Sequence, residues 1–475
     1  MDKIRRFFSL EALYLIILAF LPFQKRIHKI FRPLSEYFLE NYPNLPKVFE
    51  KKIAFYLTDF LILGLAALFL YRKRDSLRTY LSTGITKYLL FFLGACLLSL
   101  ALSSYASFGL HYVRLFQLSL GILFFCLTVQ IFSHENKKQL IMLACYVVVI
   151  VSLLECGIGI AQYCLQKPLG LRVLGEVPYF SSFKMSDGSR WVFDRHVAST
   201  DLVQIKRASG TFSHPNILGG FLFFSIFFSY LLYFEAKNRL FRLFACIALF
   251  MQISTLCLTY SRSAIIAWML ASSCFFLSIF LWQKEAKDKA QRLLLSLLCF
   301  GCVCFALLYP QFVDRGGIVN YNNLVQGADS IRVQFLMTAF KMLQEHLFLG
   351  VGFNNFLLYI QQYAPVELAP GNYYYVHNIY FLIAAEMGLI GICSFLLFIF
   401  SILKNILRAQ MSIFSFAFLS LFLGILFIGC CDFYPLVTQQ GRLLFFTSAG
   451  MLFVCLKERK GQIVTQEKEV HVLGK

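Results

Sequence analysis

Apolar runs long enough to cross a hydrocarbon core of roughly 30 Å recur from one end of this 475-residue sequence to the other. Such runs leave a chain few choices. Inside a bilayer every backbone N–H and C=O must be paired within the protein, so a spanning segment is a helix or a strand of a closed barrel. Barrel strands alternate apolar and polar residues, whereas these runs are solid. Only 15% of the residues are charged and the mean hydropathy is +0.68, against about a quarter charged in soluble domains. The expected fold is an all-α integral membrane protein, a single polytopic domain over 1–475.

About twelve spans are expected, near residues 7–23, 53–71, 86–104, 114–133, 140–162, 217–234, 240–259, 264–282, 293–309, 377–400, 412–431 and 441–455. The loops between them form two alternating sets. MDKIRR, YRKRDSLR, HENKKQ, EAKNRLFR, QKEAKDKAQR, LKNILR and KERK are short and basic, which places them, both termini and the tail 456–475 in the cytoplasm. The opposite set holds two long polar insertions, 163–216 and 310–376, and the tight hairpin TYSRSA. These face outward, to the periplasm in a Gram-negative cell. The N-terminal run lacks a small-x-small cleavage site and continues into FQKR, so it is read as an uncleaved first span.

The net charge of +19 does not point to nucleic acid, because no recognised binding module accompanies it; the basic residues flank spans. Nearly all of the fifteen cysteines lie inside apolar runs and behave as small hydrophobes. After the first span, Phe23, Ile27, Ile30, Phe31, Leu34 and Phe38 fall at helical spacing with basic residues between them. That pattern predicts an interfacial amphipathic helix broken at Pro33. In the second long loop, Ser330 is placed to cap a helix carrying Ile331, Phe335, Ala339, Met342 and Leu343 on one side. That helix stops at HLFLGVGF, and Asn354 then caps a shorter helix through NNFLLYIQQY.

Several cationic or titratable residues fall on the outward side: Arg207 and His214 in KRASGTFSHPNILGGF, Arg262 in TYSRSA, Arg332 at the start of the loop helix, and His377 in VHNIYF. Alone, an arginine at a span end ordinarily snorkels to the headgroups. Arg262 is more constrained, since its hairpin is too short to let it leave the bilayer surface, and a guanidinium held there offers five donors to a phosphate-like group. Lys206 lies on the same side. Acids within or at the mouths of spans are Asp59, Glu155, Glu386 and Asp432; ionisable groups at such positions usually face the bundle interior. Asp59, Glu155 and Asp432 lie toward the outer surface, within reach of the arginines. Glu386 is nine residues beyond His377, on the opposite helix face and roughly 13 Å deeper. It therefore does not orient that histidine and is read as a structural partner of another helix.

No D-x-D pair, H-x-x-x-H or E-x-x-H spacing is present, the one C-x-x-C (Cys299 to Cys302) lies inside an apolar run, and neither a P-loop nor G-x-S-x-G occurs. No metal or cofactor is expected.

RASGTFSHPNILGGFL, TYSRSA, IRVQFLMTAFKMLQEHLFLGVGFNNF and VHNIYFLIAAEMGLIG, in that order, resemble the O-antigen ligase/polymerase superfamily of bacterial membrane glycosyltransferases. The specific match covers roughly residues 200–400, and the first hundred residues show no family feature. Where the family often has proline after the histidine of the HLFLGVG turn, this chain has Leu347, which leaves the turn less constrained. The resemblance implies a GT-C-like helical fold with a large, partly helical periplasmic loop between spans 9 and 10. It implies a metal-independent enzyme that uses an undecaprenyl-pyrophosphate-linked glycan as donor. By motif, Arg207 and Arg262 correspond to donor-pyrophosphate ligands, with Arg332 carried over beside them, and His377 to the general base. Lys206, His214, Asn378, Asp59 and Asp432 are candidate supporting residues.

The chemistry agrees: departure of a pyrophosphate needs charge stabilisation, and an acceptor hydroxyl needs a base with a near-neutral pKa. The favoured reading is a ligase acting on lipid A–core at the outer face of the bacterial inner membrane, among membrane lipids. A polymerase and a protein O-oligosaccharyltransferase stand as alternatives. A transporter, as some relatives are described for bicarbonate, is disfavoured because the cations lie on one side and no inverted repeat with broken helices is visible.

Overall fold

The computed structural model describes residues 9–24, 26–27, 55–72, 84–104, 109–133, 137–177, 182–184, 204–316, 328–365 and 373–456. The chain is an α-helical membrane protein. Among the described residues a helix lies at each of the twelve apolar runs: α1 (Leu10–Ala19), α2 (Leu57–Arg72), α3 (Gly84–Ala101), α4 (Gly109–Ile131), α5 (Lys137–Leu165), α6 (Pro215–Glu235), α7 (Arg239–Leu258), α8 (Arg262–Trp282), α9 (Lys287–Gly316), α12 (Ile379–Leu403), α13 (Ile413–Cys431) and α15 (Gln439–Leu456). Between α9 and α12 stand α10 (Ala328–Glu345) and α11 (Phe356–Tyr363), and the short α14 (Tyr434–Val437) follows α13. Eight of the described helices are long and apolar enough to cross a membrane.

Sequence explains which helix is central. PNILGGFLFFSIFFSYLLYFE has no polar face, and a helix apolar all round is a buried one. Indeed α6 is wholly enclosed, packed among α5, α7, α8 and α13. Its paired glycines let neighbours come close: a Cβ on Gly220 would lie 2.0 Å from the Tyr434 hydroxyl. The helix α12 packs along α3, and α15 along α4.

The helix α12 is not continuous. At Gly388 the backbone takes φ 61°, ψ −160°, a region essentially reserved for glycine, and the helical ladder breaks. The HLFLGVG turn fills the gap. Val351 N–H donates to Ala385 O (2.9 Å) and Gly352 N–H to Glu386 O (2.9 Å), while Leu389 N–H donates to Leu347 O (2.8 Å) and Ile390 N–H to Phe348 O (3.2 Å). From α3, Ser99 Oγ bonds both Leu349 O and Glu386 O, at 2.8 Å each. Every one of these backbone groups would otherwise be an unsatisfied dipole in an apolar setting. The turn expected in an outer loop is thus docked into the body of the bundle. The absence of broken helices, held against a transporter, does not stand for this span.

Three local expectations need correction. Arg26–Ile27 is extended and pairs antiparallel with Phe55–Tyr56, so the segment after α1 does not begin as an amphipathic helix; its remainder, 28–54, lies outside the described residues, as does the tail beyond Leu456. The loop helix α10 starts at Ala328, ahead of Ser330. It buries Phe335, Ala339 and Met342 against α11 and α12, whereas Ile331 is exposed. The short α11 takes Asn355 as N-cap, without a side-chain cap bond; Asn354, with φ 64°, turns away to His111 and Tyr375.

Candidate active site

The loop that carries Arg207 is fastened from two sides. On α5, Glu155 accepts from Thr211 N (2.9 Å) and Thr211 Oγ1 (2.6 Å), and Gln162 Oε1 accepts from Gly210 N at 2.8 Å. At the end of α7, Leu258 O accepts from Ala208 N (3.1 Å) and Thr259 O from Arg207 Nε (2.6 Å). The guanidinium is only 2% exposed. The role of the buried Glu155 is thereby plain: it orders the RASGT backbone and does not pair with an arginine.

From Arg207 a short relay leads to the mouth of α12. Arg207 Nη2 donates to Asn216 Oδ1 (2.7 Å), and Asn216 Nδ2 donates to Asp432 Oδ2 (2.8 Å). Asp432, buried at the C-cap of α13, also accepts from Phe433 N at 2.8 Å. Asn378 is the N-cap of α12, accepting from Tyr380 N and Phe381 N, and its amide donates to Cys430 O at 3.1 Å. That bond ties the start of α12 to the end of α13. His377, immediately before the cap, packs its ring edgewise on Phe433 (centroids 5.2 Å), and among the described residues its buried Nδ1 has no hydrogen-bond partner. Burial holds its pKa below the ordinary histidine value; Asp432 pulls it back up and Arg332 pushes it down. The helix α10 thus brings Arg332 within electrostatic reach of the ring.

Arg262 is the first residue of α8, after a turn in which Tyr260 takes φ 48°. That left-handed conformation is unfavourable for a tyrosine and is held by a Tyr163–Tyr260 hydroxyl bond (2.8 Å) and by packing on Phe312. Since Arg207 binds the carbonyl of Thr259, both arginines stand at one turn. Lys206 lies next to it, its backbone N–H bonded to Gln166 Oε1 at 2.8 Å. His214 is the N-cap of α6, with Nδ1 accepting from Asn216 N at 3.1 Å, so it orders the residue that bridges Arg207 and Asp432.

Asp59 lies elsewhere, and Glu386 partners another helix, as its position predicts. Asp59 accepts from Gln439 Nε2 (2.6 Å) and Tyr56 N (2.9 Å); its charged neighbour is Arg442, not the Arg207 relay. Glu386 Oε1 accepts from Phe356 N at 3.2 Å and so anchors the start of α11. Sequence reasoning passed over Asn216, Phe433 and Arg442. The first had a signal, since it lies within SHPN beside His214; the other two acquire meaning only through contacts between distant segments.

What the arrangement offers is a neutral imidazole kept from protonation by burial, a carboxylate beside it, and guanidiniums at the same mouth. Such a set can take a proton from a hydroxyl and stabilise a leaving oxyanion. Among the described residues no three His, Cys, Asp or Glu side chains converge to hold a metal ion. No curated protein matches the chain. Residues 247–396 match the O-antigen ligase family model, a stretch running from α7 into α12 that takes in Arg262, Arg332, His377 and the break at Gly388. Over these residues the chain is similar to the O-antigen ligase family.

Proposed function

We propose that the protein is an inverting, metal-independent glycosyltransferase that moves a glycan from undecaprenyl pyrophosphate to an acceptor hydroxyl, with lipid A–core the favoured acceptor. The helical bundle lies in the bacterial inner membrane with both termini in the cytoplasm, and the catalytic mouth faces the periplasm. The observation that carries the reading is the Arg207–Asn216–Asp432 relay ending beside His377. In the reaction, the acceptor oxygen attacks the anomeric carbon as its proton passes to neutral His377. The bond from that carbon to the pyrophosphate oxygen breaks, and the electron pair leaves with the pyrophosphate, stabilised by Arg207, Arg262 and Arg332.

Purified protein with labelled donor in EDTA is expected to transfer glycan, and the acceptor that gains label among lipid A–core, a second lipid-linked glycan and a Ser-rich protein names the enzyme. Arg262→Ala is expected to lower kcat about 10²–10³-fold, the usual effect of removing one preorganised charge-stabilising donor. Wild-type transfer that EDTA abolishes and added metal restores would overturn the metal-independent mechanism.

The pH profile tests the base. A neutral imidazole is the active form, so the rate is flat above the folded pKa and falls as pH drops through it. Because burial lowers that pKa, the acid limb should lie below the ordinary histidine value of about 6.5. Asp432→Asn removes the group that raises it and should move the limb to lower pH; Arg332→Gln should move it to higher pH. A limb that stays in place in both variants would mean another group titrates.

A further inference from the structure

A second polar centre lies across an aromatic wall from His377. A small crevice of about 60 Å³ is lined by apolar side chains, Phe92, Leu118, Ile383 and Leu436 among them, and by Arg114, Arg442 and Glu386. Arg114 stands in the first turns of α4 and Arg442 in the first turn of α15. The wall is Tyr375, also a lining residue, whose ring packs on Phe433 (5.6 Å), which in turn packs on His377 (5.2 Å).

The two arginines are close enough to repel, yet neither forms an ion pair among the described residues. Arg442, 3% exposed, spends both terminal nitrogens on neutral acceptors: Leu436 O, Val437 O, Gln117 Oε1 and Gln439 Oε1. Arg114 Nη1 shares Val437 O and Gln117 Oε1, both at 3.3 Å. The Nε of each is buried and has no partner among the described residues. Asp59, bonded to Gln439, is a charged neighbour of Arg442, and Glu386 holds the Phe356 amide, so a single nearby carboxylate offsets the charge of one of the two arginines. Two like charges held side by side at the lining of one crevice are an arrangement that an oxyanion stabilises. The apolar walls suit an anion carried on a lipid.

We propose that Arg114 and Arg442 form a subsite for a phosphate group of the acceptor, which sits on the far side of Tyr375 and Phe433 from the donor arginines and presents its hydroxyl to His377. The inference rests on the glycosyl-transfer reading and narrows it: the acceptor is a phosphorylated lipid, not a protein hydroxyl.

The test uses full-length wild type, Arg114→Gln and Arg114→Lys in lipid nanodiscs. Binding of three lipids is titrated separately by native mass spectrometry: undecaprenyl-pyrophosphate glycan, phosphorylated lipid A–core and the same lipid A–core after chemical dephosphorylation. Arg114→Gln is expected to weaken phosphorylated acceptor about tenfold and to leave the donor within twofold, with Arg114→Lys between it and wild type. Dephosphorylated acceptor should bind wild type about as weakly as phosphorylated acceptor binds Arg114→Gln. Loss of donor binding instead would assign the crevice to the donor pyrophosphate and overturn the proposal. So would acceptor binding that ignores both the phosphate and the substitution in variants of unchanged melting temperature. Transfer is then measured on the same samples. If both lipids bind as expected and wild type transfers nothing, the catalytic reading fails while the subsite stands.

Discussion

Replacement of His377 by alanine is expected to lower glycan transfer about 10²–10⁴-fold, the range that a positioned general base contributes, while donor binding stays within a few-fold of wild type. The separation of the two effects follows from position. His377 stands outside the Arg207–Asn216–Asp432 relay, and its ring contact is with Phe433, so its removal leaves the guanidiniums where they are. Alanine also leaves α12 its cap, because the cap side chain belongs to Asn378. Steady-state transfer and direct donor binding, measured on the same preparation, check the expectation. Full transfer by His377→Ala would remove the base and leave the proton with another group. A parallel loss of donor binding would instead make His377 part of the donor site.

Substitution of Gly388 by valine is expected to be the most damaging change to the fold. A Cβ there would lie 2.3 Å from the Phe348 carbonyl carbon and 2.5 Å from Leu349 N, backbone atoms that cannot swing aside. A β-branched residue at φ 61° adds strain of at least about 1–3 kcal/mol. Displacing the 346–352 turn would also undo four backbone hydrogen bonds, each net worth about 0.5–1.5 kcal/mol and more where water cannot replace them. The sum rivals the whole stability of a typical domain, about 5–15 kcal/mol. Little folded Gly388→Val should survive detergent extraction and size exclusion, and what survives should be cleaved by protease near residues 346–352. Gly301→Ala on α9 is the control, since nothing lies within 4 Å of its added carbon. A Gly388→Val protein that elutes and resists protease like wild type would show that the turn is not docked as described.

That break marks the boundary of what a linear reading can find. The sequence IAAEMGLIG is apolar enough to read as one uninterrupted span, and a glycine within it is compatible with an ordinary helix. Only the 346–352 turn, forty residues earlier in the chain, converts Gly388 from tolerated to required. Glu386 has the same history: its acceptor role depends on Phe356 N, which no helical periodicity brings near.

The site divides in a similar way. Arg207, Arg262, Arg332 and His377 were legible because charged or titratable residues at the edges of apolar runs are conspicuous, and because their motifs resemble a known family. Asp59 and Asp432 looked alike by that measure, two acids at outer span ends. Their surroundings differ entirely, with Asp432 joined through Asn216 to Arg207 and Asp59 joined to Gln439 beside Arg442. Edge position is set by local hydropathy, whereas pairing is set by which helix faces meet.

From sequence alone, then, come the helical class, the placement of helices at the twelve apolar runs and the sidedness expected of the charged groups. Each follows from the cost of leaving backbone or charge in hydrocarbon, a cost that acts residue by residue and needs no knowledge of neighbours. Tertiary structure alone decided that α12 is broken and filled by a distant turn, that Glu155 serves the Arg207 loop, and that Arg114 and Arg442 face one crevice. Those outcomes depend on hydrogen bonds and packing between segments far apart in the chain, where a single polar group has many candidate partners and only the assembled bundle selects one.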